Sequence, residues 1–271
     1  MSCESWVERL LNCQFPLLKD ELALDEAQEI LCSHRPNKLY KYRQADIYGF
    51  SIIEKGELWL ARADTVNDEY DCFYAYDAEK ILDSHEEKFR RMYPDVSDEE
   101  IRQRRQFTRG KIEHDLNELR EYFRKSFALC SLSEQVDIPK MWQEYSGNHS
   151  GFCIEFNLQN VQPELWKMLL PIFYTDEKVD ISEFIVGTYK KYETINASFM
   201  RRAALTKSLK WKYEQEWRMI YLSEPNKQGV PLRGIPISCV YLGYEASQDT
   251  SDHVESICRR KNIPLKKIQI M

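Results

Sequence analysis

Two glutamates separated by one residue are the most suggestive chemical feature of this 271-residue sequence. Glu214 and Glu216 precede an unbroken aromatic and aliphatic run from Trp217 to Leu222, which predicts a strand. Alternation along a strand would place Glu214, Glu216 and Arg218 on one face. Carboxylates that enter an apolar strand are costly to bury without a partner or a purpose. The pair therefore has two interpretations: an ion-paired strand entrance in which Arg218 neutralises Glu216, or a site for acid–base work or for holding sugar hydroxyls.

Other polar and aromatic side chains with suitable chemistry are spread along the chain. They fall at strand ends, in an acidic turn and on a short helix with its following turn: Tyr42, Arg43, Asn67, Ser131, Ser133, Trp142, Tyr145 and His149. Each also has a structural interpretation, since Asn67 can stabilise its own turn and Trp142 and Tyr145 have the spacing of core residues on a helix. As a set, they supply an arginine, serines and aromatic rings to accompany the glutamates.

The sequence gives little support for a bound metal, a phosphate-binding loop or a nucleophilic thiol. The five histidines are scattered, with no pair at ligand spacing. No glycine-rich phosphate loop and no Gly-x-Ser-x-Gly elbow is present. Cys153 follows His149 closely but falls in mid-strand between apolar residues, so we expect a core thiol. Asp68 and Asp71, together with the two glutamates, keep a metal-dependent nuclease open as an alternative.

Composition indicates a folded protein of the cytoplasm. The hydrophobic content is 43%, and the formal net charge of -6 gives no general support for binding to nucleic acid or to an anionic membrane. The eight cysteines include no Cys-x-x-Cys pair, which is typical of reduced thiols in a chain of this size. No secretory signal and no apolar run of membrane-spanning length is apparent, so we predict a cytoplasmic location.

Strands and helices alternate irregularly, which predicts an α+β fold: a mixed central β-sheet with flanking helices. We predict a helical extension over residues 1–37 and a single α+β domain over residues 38–271. Within that domain, the charged residues 77–126 predict a helical insertion that packs outside the sheet. The arginine-rich run at 102–109 has acidic neighbours, which favours a solvated helix surface over a basic patch.

Several blocks of this sequence, in this order, resemble a bacterial family known as domain of unknown function 2971. The blocks are Leu39-Tyr40-Lys41-Tyr42-Arg43, Leu58-Trp59 with Asn67-Asp68, Cys130-Ser131-Leu132-Ser133, Met141-Trp142-Gln143-Glu144-Tyr145, His149 to Phe156, and Trp211-Lys212-Tyr213-Glu214-Gln215-Glu216-Trp217-Arg218. The resemblance extends over roughly residues 38 to 270. It brings no established activity with it.

A second resemblance is to the ADP-ribosyltransferase fold, whose arginine–serine–glutamate class has these residue types on successive strands. Arg43, then Ser131 or Ser133, then Glu214 and Glu216 follow that order. The resemblance implies NAD as substrate and catalytic roles for Glu216, Glu214, Arg43 and Ser131. It further implies cofactor contacts from Tyr42, Ser133, Asn67, Trp142, Tyr145 and His149. The serine motif is reduced to Ser131-Leu132-Ser133, and no toxin-type turn precedes Glu214.

The leading functional hypothesis is therefore an NAD-dependent ADP-ribosyltransferase-like enzyme, such as a toxin or phage-defence effector, acting on an unknown acceptor. An arginine can hold the phosphates of a nucleotide, and a carboxylate can stabilise the oxocarbenium-like ribose that forms as nicotinamide departs. Such a site requires no metal. Two alternatives remain: a non-enzymatic sensor that binds a ligand or peptide around Trp142, Tyr145 and His149, and the metal-dependent nuclease.

Overall fold

The computed structural model describes residues 4–16, 22–65, 72–191 and 198–268. Its helices are α1 Trp6–Gln14, α2 Leu24–His34, α3 Ile47–Lys55, α4 Ala78–Met92, α5 Asp98–Ser126, α6 Pro139–Tyr145, α7 Pro163–Trp166, α8 Ser182–Lys191, α9 Ser198–Ala204 and α10 Gln248–Lys261. Its strands are β1 Lys38–Arg43, β2 Leu58–Arg62, β3 Tyr74–Ala75, β4 Phe127–Ser133, β5 Phe152–Asn157, β6 Leu169–Pro171, β7 Phe173–Tyr174, β8 Val179–Asp180, β9 Thr206–Lys207, β10 Glu216–Leu222, β11 Gly229–Leu232, β12 Ile237–Leu242 and β13 Leu265–Lys267. The predicted α+β class is confirmed.

The chain forms two compact units, and each contains three separate segments. The first unit comprises Met1–Ser33, Ala63–Ser126 and Thr175–Lys207. The second comprises His34–Arg62, Phe127–Tyr174 and Ser208–Met271. In this division, the helical segment 77–126 groups with the N-terminal helices and with residues 175–207.

The first unit is mainly helical and includes a hairpin of α4 and α5. Ser97 begins α5 with a capping box: the Ser97 amide donates to Glu100 Oε2 at 3.0 Å. Arg105 on α5 lies 2.6 Å from both Glu79 and Asp83 on α4, and Arg109 also pairs with Glu79. The arginine-rich run is thus neutralised largely by acidic residues of the neighbouring helix, in agreement with the predicted solvated surface.

A mostly antiparallel sheet of nine strands forms the second unit. Its main order is β11-β2-β4-β1-β5-β12-β13, and β10 pairs with β4 and with β6. The pair of β12 and β13 is parallel, and α10 connects the two strands, as a parallel pair requires a crossover connection. β5 is buried along most of its length because strands flank it on both edges and helices cover both faces.

Strand register assigns each candidate residue to one of the two faces of this sheet. Directly opposed residues of antiparallel strands point to the same face. Tyr42 pairs with Cys153, and its ring packs edge-on against Trp142 of α6 with centroids 5.4 Å apart. The next residue, Arg43, pairs with Phe152, whose ring stacks on Phe50 of α3 at 5.6 Å. We call these the α6 face and the α3 face.

Local sequence signals explain why α3 starts and stops where it does. The Asp46 carboxylate accepts a hydrogen bond from the Gly49 amide at 2.6 Å, which satisfies a donor of the first turn. Gly56 ends the helix with φ of 64°, the left-handed conformation that glycine adopts most readily. The helix is thereby fixed directly after β1, above the edge at which Arg43 lies.

Candidate functional site

The Glu-x-Glu segment is not one continuous strand. A 3-10 helix, Leu209–Glu214, ends at Gln215, which has φ of 44° and ψ of 55°, and only Glu216 begins β10. The prediction that Glu214 shares strand alternation with Glu216 and Arg218 is therefore wrong. A left-handed residue between the glutamates turns the backbone and breaks the two-residue repeat.

Glu216 and Arg218 do share a face and form a buried ion pair. Arg218 Nε donates to Glu216 Oε1 at 2.7 Å, and the two side chains are only 2% and 1% exposed. In the register of β10 and β4, Glu216 lies opposite Ser133 and Arg218 opposite Ser131, on the α6 face. Arg218 thus neutralises Glu216, as the structural interpretation of the sequence proposed.

Glu214 is held by hydrogen bonds to its carboxylate and its carbonyl. Tyr145 on α6 donates its hydroxyl to Glu214 Oε1 at 2.6 Å, and the Ser133 hydroxyl donates to the Glu214 carbonyl at 2.7 Å. Burial, followed by the bond to Glu214, raises the pKa of the Tyr145 phenol. Tyr174 holds the neighbouring residue: its hydroxyl oxygen accepts a hydrogen bond from the Glu216 backbone amide at 2.8 Å. Ser133, Tyr145, Glu214 and Glu216 are therefore one cluster.

Tyr42 and Trp142 belong to the core of the α6 face. The Trp142 side chain is fully buried, and its indole Nε1 donates to the Val136 carbonyl at 2.7 Å. The Tyr42 hydroxyl donates to the Gln135 carbonyl at 2.7 Å. Neither ring presents a free face to a ligand, so the structural interpretation holds for both. Asn67, along with Asp68 and Asp71, lies outside the described residues.

Arg43 does not join Glu216. Register places Arg43 on the α3 face, whereas Ser133 and Glu216 lie on the α6 face. A Cβ added at Gly49 of α3 would lie 3.3 Å from the Arg43 Cβ, which locates the arginine beside that helix. The predicted convergence of Arg43, a serine and Glu216 on one cleft is therefore wrong. Adjacent strand residues point to opposite faces, so Tyr42 and Arg43 could not serve one site.

Arg43 and His149 lie at a different location, where three strands end together. Arg43 of β1 pairs with Phe152 of β5, which in turn pairs with Leu242 of β12. The chain leaves β1 and β12 and enters β5 at this common edge. We call it the Arg43 edge, and define it by Arg43, Gln44, the turn 147–151 and residues 243–244.

Two polar atoms at the Arg43 edge are shielded and have no hydrogen-bond partner among the described residues. They are Arg43 Nε and His149 Nδ1. The His149 ring does contact Tyr244, with centroids 4.6 Å apart. Buried polar atoms in folded proteins usually have a partner, so these two nitrogens make the edge a candidate for binding a ligand.

Sequence reasoning missed the Glu155 cluster on the α6 face. Glu155 is 3% exposed and accepts hydrogen bonds from Ser238 at 2.7 Å and Tyr241 at 2.9 Å, while Lys38 Nζ lies 2.8 Å away. Burial raises the pKa of this carboxyl, but the bonds from Lys38, Ser238 and Tyr241 outweigh burial and lower it below its ordinary value. An acidic residue in an otherwise apolar strand was the available signal, the same one that drew attention to Glu216. The cluster joins β1, β5 and β12.

Cys153 is a core residue, as expected. It is fully buried, and burial raises the pKa of its thiol well above the ordinary value, which disfavours the reactive thiolate. Among the described residues, no group of three or more histidine, cysteine, aspartate or glutamate side chains has an arrangement that could hold a metal ion.

Comparison with known families gives a match over part of the chain. Residues 141–219 match the model of the family described as Protein of unknown function (DUF2971). The match includes most of α6, all of β5 and the Glu-x-Glu segment, so the resemblance to domain of unknown function 2971 is confirmed over these residues. Neither a curated protein nor a solved structure gives a significant match to the chain. No described helix is long and apolar enough to cross a membrane.

Proposed function

We propose that the second unit is a binding module for an anionic, phosphate-bearing small molecule, and that the ligand binds at the Arg43 edge. The observation that carries this proposal is the pair of orphaned nitrogens, Arg43 Nε and His149 Nδ1, where three strands end together. An arginine presents donors in a planar fork that matches phosphate oxygens, and a histidine ring nitrogen can supply a further hydrogen bond. A phosphate group bound at this edge would give the Arg43 guanidinium the counter-charge that it lacks among the described residues.

A comparison of the ion pairs that different arginines form supports this choice of site. Arg218 is already paired with Glu216, and Arg105 is paired with three acidic residues. By contrast, the Arg43 guanidinium forms no ion pair and no hydrogen bond with any residue in the described part of the chain. The nearby Asp46 carboxylate is occupied by the α3 amide of Gly49.

The experiment is a titration of the full chain with inorganic pyrophosphate, followed by calorimetry and by melting temperature. Ligands that bind only the folded state raise the melting temperature by mass action. Arg43→Gln should weaken pyrophosphate binding roughly tenfold or more, since a charge-assisted bond to a phosphate is lost. Arg233→Gln is the matched control, because Arg233 is exposed and paired with Glu57. Equal affinities of Arg43→Gln and the wild type would refute the proposed site.

NAD-dependent ADP-ribosyl transfer, on a fold of ADP-ribosyltransferase type, is the second candidate function. One observation favours it: Ser133 lies opposite Glu216 and bonds to Glu214, so the serine and glutamate elements of the implied site are adjacent. In this reaction the bond between ribose C1′ and nicotinamide breaks, nicotinamide leaves with the electron pair, and the acceptor attacks C1′ and loses a proton. The carboxylate of Glu214 or Glu216 would stabilise the cationic ribose.

Nicotinamide release from NAD tests this second function. Activity that is present in the wild type and lost in both Glu214→Gln and Glu216→Gln, compared per folded molecule, would support it. No release above the rate without protein, with cell extract added as a source of acceptor, would reject it. Because Arg43 lies on the other face, Arg43→Gln should leave this activity unchanged while it weakens pyrophosphate binding.

A further inference from the structure

An exposed aromatic ring lies beside the orphaned nitrogens of the Arg43 edge. Tyr244 follows β12 directly and is 54% exposed, and its ring is tilted by 35° against the His149 imidazole. Two more large apolar side chains, Ile47 at 77% and Tyr48 at 72% exposure, lie on the first turn of α3, just after Arg43. A cationic group with exposed rings and aliphatic surface suits a ligand that carries both charge and a flat apolar part.

The backbone holds Tyr244 firmly against the turn that carries His149. The Glu245 amide donates to the His149 carbonyl at 3.2 Å, and the Gly243 amide donates to the Gly151 carbonyl at 2.9 Å. A Cβ at Gly243 would lie only 1.9 Å from the His149 carbonyl oxygen, so this approach requires glycine. The ring and the imidazole are therefore positioned before any ligand arrives.

The turn itself is conformationally strained and well supported. Gly147, Asn148 and His149 are consecutive residues with positive φ, of 62°, 53° and 67°. Left-handed non-glycine residues cost free energy and persist where the surroundings determine them. Here the Asn148 and His149 amides donate to the Gln143 and Trp142 carbonyls at 3.1 Å each. A rigid turn lowers the entropy that is lost when a ligand binds to it.

We infer that the ligand of the Arg43 edge is a nucleotide whose phosphates contact Arg43 and His149 and whose base stacks on Tyr244. This inference rests on the proposed function, and it adds the base as the group that gives affinity beyond phosphate. Stacking on an aromatic side chain tolerates any base, because every base has a π-face. The structure therefore assigns the class of ligand and leaves the base to be determined by titration.

The test compares three probes on the full chain by calorimetry: AMP, inorganic pyrophosphate and ribose 5-phosphate. AMP should bind at least roughly tenfold more tightly than ribose 5-phosphate, which has the same phosphate and lacks the base. Tyr244→Leu should remove most of that advantage and weaken the binding of AMP more than the binding of pyrophosphate. Tyr244→Phe keeps the ring and should retain it. Since Tyr244 is exposed, both variants should melt close to the wild type.

Each outcome bears on one of the two claims. If Tyr244→Leu binds AMP as tightly as the wild type, or if AMP gains nothing over ribose 5-phosphate, the nucleotide inference is wrong. The proposed anion site would then still stand, provided that Arg43→Gln weakens pyrophosphate binding. If Arg43→Gln does not weaken it, or if the wild type binds no pyrophosphate, the proposed site is wrong, whatever Tyr244 does.

Discussion

Glu216→Gln is the most informative single substitution, because it removes one charge of a buried ion pair and hardly changes shape. Glu216 and Arg218 are 1% and 2% exposed as side chains and are joined at 2.7 Å. Removing one partner of such a pair costs about 3–5 kcal/mol, since the remaining charge stays in a poorly solvated interior. Glutamine keeps an oxygen that can accept the bond from Arg218 Nε, so we expect the lower end, about 3 kcal/mol. For a chain of this size, that predicts a melting temperature lower by about 6–12 °C.

The assay is thermal unfolding by circular dichroism at neutral pH, with Glu224→Gln as the matched control. Glu224 pairs with Lys227 at 3.2 Å, but the two side chains are 73% and 56% exposed, so solvent screens the pair and the control should melt almost with the wild type. The double variant Glu216→Gln with Arg218→Met should recover part of the loss, because neither residue of the former pair then buries a charge. A Glu216→Gln protein that melts within about 1 °C of the wild type would refute this account of the pair.

Three further predictions concern stability. Tyr145→Phe removes the hydrogen bond to the buried Glu214 carboxylate and should cost about 1.5–3 kcal/mol in urea unfolding; no loss would mean that the carboxylate is satisfied without it. Glu155→Gln should lower the melting temperature at pH 7 but much less at pH 3. The folded protein lowers the pKa of the Glu155 carboxyl below 4.5, so the charged carboxylate stabilises the fold above that pH, and this stabilisation disappears as acid protonates the group. An equal loss of melting temperature at both pH values would contradict this prediction. Gly151→Ala should destabilise the protein strongly, because the added Cβ would lie 2.2 Å from a backbone carbonyl oxygen. Gly110→Ala has open space on a helix and should stabilise the protein by about 0.5–1 kcal/mol. Similar melting temperatures for the two variants would contradict this prediction.

Local signals in the sequence determined most of the elements and some of the core. Apolar runs indicate β4 and β5, Pro139 marks the start of α6, and Gly56 marks the end of α3. These signals act over a few residues, so they can be read directly from the sequence. The ion pair of Glu216 and Arg218 was also within reach, because both residues lie on one strand two positions apart.

Which residues face each other across the sheet was decided only by tertiary structure. Strand side chains alternate between the two faces, so small backbone details changed the expected site. The left-handed residue Gln215 removed Glu214 from the strand. The register of β1 placed Arg43 on the α3 face. The meeting of Arg43, His149 and Tyr244 depends on strands from three distant parts of the chain ending together. No local pattern records that coincidence, because it arises from long-range pairing rather than from neighbouring residues.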